Sequence, residues 1–328
     1  MVCTRRRLLL AGLRLVTKPH GALLAVFASA LCAPKLLSQA DFLVDANLVV
    51  LHVTVTDNQG RPVRDLEKAN FHIYEDGLPQ NLTLFRHEDT PVAVGLVVDN
   101  SGSMRPKLRD IIAAATAFAR SSNPEDQMFV VNFNEHVSLG LAPEDEFVSD
   151  PDKLKDAMLQ IHAKGETALY DALATALNHI RKSVLHRKVL ILLSDGGDNA
   201  STLGFPKLLT MVQQSDVIVY SVGLFDEYDT DRNPGVLKQL AKASGGEAFF
   251  PNEIPDVTNI LQTVSQDIRN QYTIGYVPNN EKRDGAYRSV RVKLTGPHST
   301  RWIVRTRAGY FATSPDSSAS EPQKAKEQ

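Results

Sequence analysis

The hydrophobic rhythm of the chain changes twice. "NLVVLHVTVT" (47–56) alternates from Val49 to Val55, the period of a strand with one buried face. "DNQGRP" (57–62) is a turn cluster. "NFHIYEDG" (70–77) and "NLTLFRHE" (81–88) flank a short loop begun by Asp76-Gly77, which predicts a hairpin between them. From residue 92 the pattern becomes short and continuously apolar: "VAVGLVV" (92–98), "MFVVNF" (128–133), "KVLILLS" (188–194) and "VIVYSVG" (217–223). Helical patterns lie between and after these runs, at 107–121, 152–162, 168–183 and 235–244, with a closing helix at 255–271. Continuous apolar strands alternating with helices predict an α/β domain whose mostly parallel sheet is covered on both faces. "EHVSLGLAP" (135–143) follows one strand directly and predicts an antiparallel edge.

After Gln271 the period returns to two, in "YTIGYVP" (272–278), "YRSVRVKL" (287–294) and "RWIVRTRAG" (301–309). Three strands with one apolar face need a second layer. The segments 41–90 and 272–312 are therefore expected to pair into one β-sandwich-like module, with the α/β domain, 91–271, inserted in it. Residues 313–328 are polar and proline-containing, a disordered tail by composition.

The first 40 residues have another character. Arg5, Arg6 and Arg7 precede the apolar "GALLAVFASALCA" (21–33), which is too short to span a bilayer comfortably. Ser38 and Ala40 supply small residues for cleavage, so 1–40 has the layout of a secretory signal, of the Sec or the twin-arginine type. The expected location is outside the cytoplasm: periplasm, cell surface or medium. Leu31 is too large to precede a lipidated Cys32.

Residues 1–40 hold six Lys/Arg and no acid, and the remainder carries 30 basic against 38 acidic residues, a formal charge of −8. That balance disfavours nucleic acid as a partner. Both cysteines, Cys3 and Cys32, lie in the leader. After cleavage neither disulfides nor cysteine chemistry would remain.

The candidate chemistry sits where the apolar runs end. In "VVDNSGSM" (97–104), Asp99 closes a strand, and Ser101, Gly102 and Ser103 follow. Ligands of parallel α/β sheets bind at the carboxyl ends of the strands. Asp195, in "LLSDGGDN" (192–199), ends another strand, and Thr167, in "AKGETALYDAL" (163–173), lies in a loop entering a helix. Two carboxylates and three hydroxyls are hard donors, suited to Mg²⁺, Mn²⁺ or Ca²⁺ rather than Zn²⁺ or Cu²⁺. Gly102 is expected to free the backbone where the loop bends, and Asp198 to stand behind the direct ligands.

"DNSGS", Thr167 and "SDG" resemble the metal-ion-dependent adhesion site of von Willebrand factor type A domains, whose pattern is Asp-x-Ser-x-Ser, then Thr, then Asp. The resemblance covers about 91–270 and implies a Rossmann-like fold. It implies that Asp99, Ser101 and Ser103 form the core of a metal site, with Thr167 and Asp195 coordinating directly or through water. The family's usual Gly-Gly-Thr is Gly165-Glu166-Thr167 here, and Glu166 is expected to point outward. The flanks, "NFHIYEDG" and "QYTIGY…RAGYF", look similar to bacterial exported proteins described only as related to this domain. In the family, a protein partner's exposed Asp or Glu completes the ion's coordination, which implies a non-enzymatic binding module.

Taken singly these residues have plainer readings: Asp99-Asn100-Ser101-Gly102 and Asp195-Gly196-Gly197 are also turns, and Thr167 is also a helix cap. Their order across three loops favours the site. An EF-hand reading of 99–110 fails, because Met104 stands where Gly is needed and Asp110 where Glu is. A phosphohydrolase of the haloacid dehalogenase type is the rival enzyme, but Ser101 occupies the place of its second Asp. A third reading has the ion only staple the loops. G-x-G-x-x-G after the first parallel strand, the phosphate-binding loop, H-E-x-x-H and G-x-S-x-G are all absent. His179 and His186 are expected at the surface.

Overall fold

Strands from opposite ends of the sequence share two of the three sheets. The computed structural model describes residues 48–160, 164–225, 232–297 and 299–312. The leader, both cysteines and the tail from 313 lie outside the described residues.

The first segment carries β1 (Val49–Thr56), β2 (Phe71–Glu75), β3 (Leu78–Gln80) and β4 (Leu82–Arg86). Then come β5 (Val92–Asp99), α1 (Leu108–Arg120), β6 (Gln127–Phe133), β7 (Val137–Leu139), α2 (Pro151–Leu159), α3 (Leu169–Ile180) and β8 (Arg187–Ser194). They are followed by α4 (Phe205–Gln214), β9 (Ile218–Gly223), α5 (Pro234–Ser244), β10 (Ala248–Phe249) and α6 (Asp256–Arg269). The last segment supplies β11 (Tyr272–Tyr276), β12 (Tyr287–Leu294), β13 (Ile303–Arg305) and β14 (Gly309–Phe311).

The central sheet has the order β10-β9-β8-β5-β6-β7 and is parallel except for β7, which runs antiparallel to β6. Every residue of β5 is buried, which explains its unbroken apolar run. Val94, Leu96 and Val98 face Ile111 and Phe118 of α1 and Leu261 and Val264 of α6. Ala93 and Val97 face the layer holding Leu173 and Leu177 of α3 and Leu237 of α5. Each fully buried Leu or Val adds about 1.5–3 kcal/mol, so both helical layers are needed to cover the sheet.

The other two sheets have the orders β13-β1-β11-β4 and β14-β12-β2-β3. Leu51 and Val53 of β1, Ile73 of β2, Ile274 of β11 and Val292 of β12 meet in one core. Polar contacts join this module to the α/β part. Arg305 of β13 pairs with Asp267 of α6 and with Glu247, and Gln271 donates to Thr54 at 3.1 Å and to Tyr220 at 3.4 Å.

Several expectations need correcting. The segments 70–77 and 81–88 do not form a hairpin with each other. β2 folds back on β3, with Glu75 opposite Leu78, while β4 crosses to the other sheet and pairs with β11. Asp76 and Gly77 both have positive φ, 48° and 83°, so the turn closes within two residues and β3 takes the partner's place. The stretch 301–309 is not one strand either: β13 pairs with β1 and β14 with β12. Helix α4 went unpredicted because Phe205-Pro206 interrupts the pattern, yet proline is tolerated in a first helical turn. His179 is buried rather than at the surface, with its ring 4.5 Å from that of Phe129 and Nε2 2.8 Å from the Glu146 carbonyl.

Candidate functional site

Asp99 and Asp195 leave the carboxyl ends of neighbouring parallel strands, since Val98 of β5 lies beside Leu193 of β8. Asp99 is fully buried. Its Oδ1 accepts the Ser101 N–H at 2.8 Å, and its Oδ2 accepts the Ser194 hydroxyl at 2.6 Å. The chain then makes a short 3-10 turn at Gly102–Met104 before α1. The Ser101 and Ser103 hydroxyls are 3.1 Å apart, and Ser103 donates to Asp195 Oδ2 at 2.6 Å. Asp195 Oδ1 accepts the Gly197 N–H at 3.1 Å. Four of the sequence-derived residues thus form one chain of oxygens, from a buried floor at Asp99 to an exposed mouth at Ser103.

Thr167 belongs to the adjoining loop. That loop is held to the first by backbone bonds, Lys164 N–H to Asn100 O at 3.0 Å and Gly102 N–H to Gly165 O at 3.2 Å. Asn199 fixes it to the Asp195 loop: its side chain accepts the Thr167 N–H at 2.8 Å, and its own N–H donates to Thr167 O at 3.0 Å. The Thr167 side chain makes no hydrogen bond to the four-residue oxygen chain among the described residues. Glu166 is exposed.

Asp198 faces elsewhere. Its Oδ1 accepts the Tyr170 N–H at 3.1 Å and the Ser201 hydroxyl at 2.6 Å, so it satisfies the first turn of α3. Gly102 does not need glycine's backbone freedom, because its φ is not positive. Gly165 and Gly196 do, with φ of 78° and 80°. At Gly165 a Cβ would fall on the Glu135 carboxylate, and at Gly196 it would sit 2.8 Å from Asn233 O.

Ser194 and Glu135 were not singled out from the sequence. Ser194 was visible only as the residue before Asp195 at a strand end. Glu135 follows β6 at the same sheet edge, and its Oε2 is buried without a hydrogen-bond partner among the described residues.

Burial, and then the neighbouring charge of Asp195, push the Asp99 carboxyl up to about 7. Two carboxylates facing each other in a desolvated floor, with hydroxyls between them, are a donor set that fits a hard divalent cation. Among the described residues no three His, Cys, Asp or Glu side chains gather to hold a metal. Any cation here would therefore draw on the serine oxygens as well.

A family model, von Willebrand factor type A domain, matches residues 94–197. This segment is similar to von Willebrand factor type A domains. The match contains Asp99, Ser101, Ser103, Thr167 and Asp195 and stops before the last strands and helices of the α/β part. No curated protein matches the chain.

Solved structures similar to the chain include a von Willebrand factor type A protein from Catenulispora acidiphila, at 14% identity over 84% of this chain and 76% of that one, TM-score 0.48. The corresponding domain of the type V pili tip protein Mfa5 from Porphyromonas gingivalis matches at 15% identity over 55% and 97%, TM-score 0.45. An aerotolerance-related membrane protein from Bacteroides fragilis matches at 16% over 54% and 98%, TM-score 0.44. No helix among the described residues is long and apolar enough to cross a membrane.

Proposed function

We propose that this type A domain is an exported, metal-dependent protein-binding module for adhesion or assembly. It would capture an acidic side chain of a partner at the rim formed by Asp99, Ser101, Ser103, Thr167 and Asp195. The observation that carries the reading is the continuous run Asp99–Ser101–Ser103–Asp195, which joins two strand ends through the Ser101 N–H and the two serine hydroxyls. A bound Mg²⁺ or Mn²⁺ supplies a hard positive charge with affinity for carboxylate oxygen. Asp99 and Asp195 would supply the counter-charge, and Ser101 and Ser103 would add neutral oxygens to the ion's coordination. The Ser194 hydroxyl and the Ser101 N–H hold Asp99 in one orientation. The leader-like first 40 residues support export, and the formal charge of the remainder disfavours nucleic acid.

Calorimetry with MgCl₂ and MnCl₂ tests the site. The parent chain should bind one ion, and Asp99→Ala and Asp195→Ala should lose at least about tenfold in affinity while keeping the parent circular dichroism. A pull-down from the native envelope should recover the same partner only without chelator. Capture that survives excess chelator unchanged overturns the mechanism, and loss of thermal stability alone would leave the ion a loop staple. Sustained hydrolysis of p-nitrophenyl phosphate that vanishes in Asp99→Ala would replace binding with phosphohydrolysis.

A further inference from the structure

The β module holds a polar cluster far in sequence from the type A rim. Glu75 is buried, 3% exposed, and accepts the hydroxyls of Tyr276 at 2.7 Å and Tyr310 at 2.8 Å. Arg288, equally buried, pairs with Glu75 at 3.4 Å and donates to the carbonyls of Asn280 and Lys282. One carboxylate and one guanidinium are thus matched.

A second guanidinium has no such match. Arg307 lies over the Tyr310 ring, 5.5 Å from its centroid, and among the described residues its side chain makes no hydrogen bond or ion pair. Its Nε is buried without a partner. Burial holds its guanidinium below the usual arginine range, while Tyr276 and then the Asp216 carboxylate act in the opposite direction. Arg307 is only half-buried, but a guanidinium whose Nε is shut off from water without a partner is stabilised when an anion reaches it.

Arg307 and Arg288 line the same cavity of about 170 Å³. Lys282 stands exposed at its edge, and Leu48, Val49 and Phe311 give it apolar walls. The volume is below the roughly 300–1,000 Å³ of drug-sized pockets. The Arg307 guanidinium presents a forked donor that fits a carboxylate in two-point contact, while Arg288 is already engaged by Glu75 and two carbonyls. The apolar walls suit a short hydrocarbon body better than a fully hydrated inorganic anion. We propose that this cavity binds a small organic acid, its carboxylate on Arg307 and its chain against Leu48, Val49 and Phe311. The site needs no divalent cation and is independent of the rim at Asp99.

The test is calorimetric titration of succinate, glutarate and inorganic phosphate into the full chain, in EDTA so that no rim-bound cation contributes. A dicarboxylate should bind saturably, and more tightly than phosphate. Arg307→Gln should weaken it at least about tenfold, and Arg307→Lys, which keeps charge but not the fork, nearly as much. Lys282→Gln, at an exposed edge position, should weaken it about threefold and keeps the test decisive if Arg307→Gln does not fold. Asp99→Ala should bind like the parent. The proposal is overturned if no carboxylate saturates below roughly 10 mM. It is also overturned if Arg307→Lys and Lys282→Gln bind as the parent does, or if phosphate is preferred.

Discussion

At the scale of single residues, burial decides the chemistry. Asp99 titrates high because solvent is excluded before the charge of Asp195 is felt. His52 shows the same effect with the opposite sign: burial, then repulsion by Arg187, lowers its ring to about 4, against the attraction of Asp216 and with further repulsion by Arg307. Below about pH 6.5 the unfolded chain takes up a proton that the folded chain refuses until about pH 4. Stability is therefore full above pH 6.5 and falls as pH drops through that window, by up to about 3 kcal/mol. In His52→Gln, urea midpoints at pH 7.5 and pH 4.5 should lie closer together than in the parent. Backbone geometry governs Gly196, where φ is 80° and a Cβ would meet Asn233 O. Gly196→Ala should cost about 2 kcal/mol, read as a lower thermal midpoint, and should weaken Mn²⁺ binding by displacing Asp195.

At the scale of elements, the legible parts were those whose partners lie on two faces at once. The runs at β5, β6, β8 and β9 read as parallel strands because nearly every residue is buried. Asp99 and Asp195 were legible with them, being polar residues at the ends of such runs. The hairpin partner of β2 was not legible, because Leu78-Pro79-Gln80 is an edge strand with Leu78 64% exposed and carries no apolar pattern. Asp198 bonds to the start of α3, a partner the sequence did not disclose because DGGDN turn chemistry serves a rim loop and a helix start equally well. Helix α6 is joined to β13 by the Arg305–Asp267 pair, in which the Asp267 side chain is 1% exposed. Arg305→Ala leaves that carboxylate without its cation and should cost about 3 kcal/mol, with faster amide exchange in α6 and β13 as the readout.

At the scale of the whole molecule, β1, β2 and β4 depend on strands that arrive more than 180 residues later. A chain ending at Asn270 would lack β11 and β12, leaving Leu51 and Ile73 without the strands that pair with theirs. Limited proteolysis of that truncation should cut within 48–90 before it cuts the central sheet. The sequence by itself determined the alternation of strands and helices, the order of the oxygen-bearing loops and the charge that disfavours nucleic acid, because periodicity, turn chemistry and composition are local properties. Tertiary structure alone decided which strand pairs with which, that Ser194 and Ser101 orient Asp99, that Glu135 closes over Gly165, and that Arg307 lines a cavity beside Arg288. Each of these depends on where distant segments meet, and local pattern carries no information about that meeting.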